Sequence, residues 1–147
     1  MNAPFTPKPG IDAFHRERSR CIDAFSRLEA AIVALLDLAN HTCGTESFGQ
    51  KLALLRKARP TPKLSKARLS AVQKLLNQCE KHAEVRNDIV HSTLQLGIIG
   101  ETHRACFINM RYCQSGSQTA RLFTLEGLRT LTAEMDKIAE SLLDIQT

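Results

Sequence analysis

Residues 65–92 carry the pattern that most limits what this chain can fold into: an apolar stripe at helical spacing, broken by a charge. Val72, Leu76, Cys79, Ala83 and Val90 follow one another at steps of four, three, four and seven, which keeps them on one helical face. Three residues beyond Ala83 the same rhythm reaches Arg86, where it asks for an apolar side chain. Asn87 and His91 stand four apart beside it and are neighbours on the helix surface. A charge on a buried stripe is costly unless something answers it. Arg86 therefore needs a counter-ion or an anionic ligand. Glu84, Asp88 or a carboxylate from another helix would make it structural, with His91 placed where a helix C-terminus favours positive charge. A phosphate would make it functional.

The flanking chain supplies further elements. Residues 11–39 read as a first helix with Phe14, Cys21, Phe25, Leu28, Ile32, Leu35 and Ala39 inward, interrupted only by Arg18. Nearly thirty residues is long for a globular helix, which implies a packing partner along its length. Residues 40–44 read as a loop, with Gly44 as a helix stop. A second helix, 45–59, turns Phe48, Leu52 and Leu55 inward and ends at Pro60-Thr61-Pro62, because each proline disfavours helix at the residue before it. Ser65 is placed to cap the central helix.

After Ser92 the period falls to two. Segments 93–99, 104–113 and 119–124, separated by Gly100-Glu101-Thr102 and Gln114-Ser115-Gly116-Ser117, predict two or three antiparallel strands. Thr124 then caps a last helix, 125–143, with Leu128, Leu131, Met135, Ile138 and Leu142 inward. The fold class is mainly α: a four-helix bundle with a β-hairpin or three-stranded meander before the last helix. Residues 1–10, with three prolines, read as a flexible arm, and 11–147 as a single domain.

Several functional classes drop out on composition. The longest apolar run, residues 30–36, is too short to span a membrane and is followed by Asp37. Five cysteines, odd in number and without a Cys-x-x-Cys pair, point to reduced thiols in a cytoplasmic protein. No His, Cys and carboxylate stand at metal-ligand spacing, and no glycine-rich phosphate loop is present, so neither a metal nor a cofactor is expected.

The net charge of +5 is unevenly spread. No Asp or Glu occurs from Ser47 to Cys79, a stretch that holds Lys51, Arg56, Lys57, Arg59 and Lys63. These five are the candidate RNA-binding residues, by contact with phosphates, since no aromatic lies among them to stack a base. A solvated basic face is the competing reading.

An Arg followed by a His at four to six residues arises about once by chance in a chain of this composition, and requiring the Asn after the Arg lowers that to roughly 0.04. Arg86-Asn87-x-x-x-His91 resembles the signature of the HEPN superfamily (higher eukaryotes and prokaryotes nucleotide-binding domains). The resemblance covers this motif and the order of helices around it; a β insertion departs from the purely helical form. It implies a HEPN-type bundle, a homodimer, and a metal-independent endoribonuclease of toxin or defence type with Arg86, Asn87 and His91 as catalytic residues. RNA and an antitoxin or other protein are the partners it implies. The alternative within the family is a catalytically inactive module that binds nucleic acid or protein. Val90 precedes the His where some family toxins carry a modifiable tyrosine, so that control is not expected.

Overall fold

The computed structural model describes residues 10–99, 102–109 and 119–147. Four helices and one antiparallel sheet follow in the order α1 (Ile11–Leu38), α2 (Phe48–Lys57), α3 (Lys66–His91), β1 (Ser92–Ile99), β2 (Thr102–Asn109), β3 (Thr119–Phe123) and α4 (Leu125–Gln146). The mainly helical class and the sheet before the last helix match the expectation, and the sheet is the three-stranded meander β1-β2-β3. The predicted arm, apart from Gly10, and the predicted turn at 114–117 lie outside the described residues.

The helix ends show why the elements stop where they do. Asn40, at φ 61°, closes α1 in place of the expected Gly44. The His41 amide donates to the Leu36 carbonyl (2.8 Å) and the Asn40 amide to that of Asp37 (2.9 Å), the paired bonds of a Schellman ending. Asparagine tolerates the left-handed conformation, so no glycine is needed there. α2 begins at Phe48 rather than 45, because Ser47 and Gln50 form a reciprocal capping box. Ser65 caps α3 through the Arg68 amide, and Thr124 caps α4 through that of Gly127, both as expected. A Cβ on Gly127 would come within 3.2 Å of the Thr124 hydroxyl, so glycine keeps that cap unobstructed.

Side-chain pairings fix the helix directions. Glu17 meets Arg129, Arg27 meets Asp136, and Gln146 reaches the Ala31 carbonyl, so α1 and α4 run parallel. Arg18 reaches the end of α3 while Glu29 meets Arg86 further back, so α3 runs against α1. Arg56 on α2 meets Glu80 on α3, and Thr61 beyond α2 donates to the Leu38 carbonyl at the end of α1 (2.6 Å). The partner that α1 was expected to need along its length is α4, its most extensive packing contact.

The core is the predicted set with few changes. Phe14, Cys21, Leu28, Ile32, Leu35, Leu52, Leu76, Leu128, Met135 and Leu142 are fully buried. In α3, Ile89 and Asp88 are buried while Val90 is only half-buried, which shifts the stripe from its expected line. The last turn of α3 packs on β2 as well as on helices, so the sheet decides burial there. Opposite residues Leu94 and Phe107, with Ala105 beyond, put the inner face of the sheet on the bundle, as a period of two requires.

Candidate functional site

α3 runs into β1 without an intervening loop, and the three motif residues occupy its last turns. Carbonyls at a helix end lack partners within the helix. Here Arg18 of α1 supplies them, donating to Ile89 O (2.8 Å) and Ser92 O (2.7 Å) with its guanidinium 5.8 Å from the centre of the Phe107 ring. Asp88, buried on the same turn, pairs with Arg121 of β3, which also reaches Glu84 (3.7 Å). The site thus stands on a helix end clamped by two arginines from neighbouring elements.

Arg86 is half-buried, with 23% of its side chain exposed. Its Nη1 donates to Asn87 Oδ1 (3.2 Å) and its Nη2 lies 3.5 Å from Glu29 Oε2, while its guanidinium sits 6.0 Å from the centre of Phe48. The other Glu29 oxygen takes Lys51 Nζ at 2.6 Å. The stripe position of Arg86 is therefore accounted for within one chain. Two cations share one carboxylate, however, and Lys51 holds it at the shorter distance. Arg86 is the more loosely held of the two.

His91, the last helical residue, is exposed. Five residues separate it from Arg86, so the two point roughly 140° apart about the helix axis with about 7.5 Å of rise between them. Asn87 lies between, one turn before His91 and in contact with Arg86.

The candidate RNA-binding residues divide into two groups. Lys51 joins the Arg86 cluster, and Arg56 is tied to Glu80 (2.6 Å) and Asn77 (3.0 Å). Both acids come from neighbouring helices, which a run without acids in sequence could not reveal. Lys57, Arg59 and Lys63 are exposed, without an ion pair among the described residues. They surround the proline bend, which Leu64 anchors in the core. Lys66, where α3 begins, is twenty residues from Arg86, roughly 30 Å along the helix, so this basic group and the motif occupy opposite ends of the bundle.

Cys21 and Cys79 are pushed up to about 11 by burial, so neither is a thiolate at neutral pH and neither is a candidate nucleophile. Among the described residues no group of three or more His, Cys, Asp or Glu is arranged to hold a metal ion, and no helix is long and apolar enough to cross a membrane.

Glu29, Phe48, Arg18, Asp88 and Arg121 support the site and were not identified as doing so from sequence. Arg18 did leave a signal, as the charge that breaks the apolar stripe of α1. Glu29 left none, because a lone acid on a helix is ordinary. No family model, curated protein or solved structure matches the chain.

Proposed function

We propose that this chain is a HEPN-like, metal-independent endoribonuclease that works as a homodimer, in a toxin or defence role. The observation that carries the reading is the loose hold on Arg86: Lys51 takes Glu29 at 2.6 Å while Arg86 stands 3.5 Å from it, and Asn87 continues the cluster toward an exposed His91. A phosphate would give Arg86 a closer, two-pronged partner than Glu29 does. An RNA 2′-hydroxyl would attack the adjacent phosphorus as its proton passes to a base. The bond to the 5′-oxygen breaks, that oxygen takes a proton, and a 2′,3′-cyclic phosphate remains.

An imidazole titrates near neutrality and suits either proton transfer. Arg86, held loosely by Glu29, would turn its fork to the phosphate and stabilise its charge in the transition state. One chain offers a single motif imidazole, so two transfers call for two protomers. The second reading is a catalytically silent module that binds nucleic acid or protein. The contact of Arg86 with Glu29 and Asn87 in its own chain favours it.

Incubating purified protein with total RNA in EDTA, beside His91→Ala, separates the two. The nuclease reading expects cleavage with cyclic-phosphate ends that His91→Ala abolishes, and a dimer by light scattering at micromolar concentration. RNA bound but left intact would establish the module reading instead.

A further inference from the structure

Among the described residues four arginines are half-buried: Arg18, Arg86, Arg104 and Arg121. Three of them are answered. Arg18 takes the carbonyls at the end of α3, Arg86 takes Glu29 and Asn87, and Arg121 takes Asp88 and Glu84. Arg104 of β2 has no hydrogen-bond or ion-pair partner among the described residues, and its Nε is buried without an acceptor. A buried donor left unsatisfied is costly and uncommon in a folded chain, and here it belongs to a cation. The side chain is set for an acceptor that its own chain does not supply.

The register of the sheet places this cation. Ala105 and Phe107 turn inward onto the bundle, so Arg104 faces outward, directly across from Gly97 of β1. Side chains so opposed start about 5 Å apart. A Cβ on Gly97 would meet nothing closer than the Arg104 carbonyl at 3.9 Å, and its φ lies outside the left-handed range. Neither packing nor backbone conformation among the described residues calls for glycine there. Glycine inside a strand weakens it, and often marks a place where a ligand approaches the backbone. Gly97 thus leaves a notch on the outer face beside the unanswered guanidinium.

An occupant of the notch must bring acceptors and negative charge. A phosphate has both, and the planar guanidinium can grip two of its oxygens at once. From Gly97, β1 leads back to His91 in six residues, roughly 20 Å. It passes Gln95 and Thr93, exposed on the same face as Gly97. A nucleic-acid strand laid along β1 would meet Arg104 at one end and the motif at the other, with an amide and a hydroxyl between.

We propose that Arg104 and the notch over Gly97 form a second phosphate subsite for the RNA strand, several nucleotides from the phosphate at the motif. The proposal rests on RNA as the target of the chain but not on cleavage.

The test uses a fluorescein-labelled ten-nucleotide oligodeoxynucleotide, which lacks the 2′-hydroxyl that the proposed cleavage needs. Arg104→Gln should weaken its binding about tenfold and lower the salt slope by roughly 0.7, the value of one contact on a single strand. Because the lost cation had no partner, this variant should melt no lower than the wild type. Gly97→Val keeps the cation and fills the notch. β-branched residues suit strands, so it too should melt no lower, while binding the oligonucleotide about as weakly as Arg104→Gln.

A slope unmoved by Arg104→Gln, wild-type affinity in Gly97→Val, or no binding by the wild type would overturn the subsite. A lower melting temperature for Arg104→Gln would overturn it too, by making the arginine structural. A polyglutamate decamer that displaces the oligonucleotide at lower concentration would give the notch to an acidic protein instead. RNA cleavage by a protein whose Arg104→Gln variant binds the oligonucleotide normally would remove the subsite and leave the nuclease. Arg104-dependent binding without cleavage would do the reverse.

Discussion

Glu29 is the residue on which the motif most depends, since it holds Lys51 and Arg86 by separate oxygens. The two partners are not equivalent in what their loss would do. Arg86→Leu leaves Glu29 still paired with Lys51, so unfolding by urea should show a change within about 1 kcal/mol. Glu29→Gln instead leaves two half-buried cations facing each other, and should cost about 2 kcal/mol, less than for a fully buried pair. A larger loss from Arg86→Leu than from Glu29→Gln would show that Arg86 carries the structure. His82 offers a second check. Burial holds it below the usual imidazole range, with Lys81 adding to this and Glu134 opposing it. As pH falls through that range the unfolded chain takes up a proton that folded His82 refuses, so stability is lost on acidification. His82→Gln should lose less between pH 7.5 and 5.5 than the wild type, and equal losses would exclude the effect. At this scale the sequence was informative wherever a charge broke a period. Arg18 and Arg86 both announced themselves that way. Their partners, the Ile89 and Ser92 carbonyls and Glu29, come from distant parts of the chain and leave no mark on spacing.

Among the elements, the junction of α3 and β1 shows how a helix can pass into a strand without a loop. Arg18 makes this possible by answering the terminal carbonyls with a charged donor. Arg18→Met keeps a side chain over Phe107 but removes those bonds, and should lower stability by about 2 kcal/mol. Amide exchange should then speed up first at the start of β1; unchanged protection there would mean that the strand holds the junction without help. The four helices and the meander were legible because their periods of 3.6 and two are long and clean, and because Ser65 and Thr124 cap where caps are expected. The exceptions have local causes. The Ser47–Gln50 box starts α2 late, Asn40 in place of Gly44 makes the left-handed turn after α1, and packing on the sheet buries Ile89 in preference to Val90.

For the whole molecule, the separation of the proline bend from the motif bears on how a long strand of RNA would be held. If Lys57, Arg59 and Lys63 touch phosphates, replacing all three should lower the salt slope of RNA binding by roughly two to three for every sequence alike. An unmoved slope would leave them as a solvated face. The pairing of α1 with α4 has a consequence of another kind. These helices lie at opposite ends of the described chain, yet they share its largest contact. During synthesis the stripe of α1 has no permanent cover until α4 has left the ribosome. At about 5–20 residues per second, the stretch of roughly a hundred residues between them keeps Phe14, Leu28 and Ile32 waiting for about 5 to 20 seconds. Nascent chains arrested before Leu125 should engage chaperones through that stripe, and release them once α4 emerges.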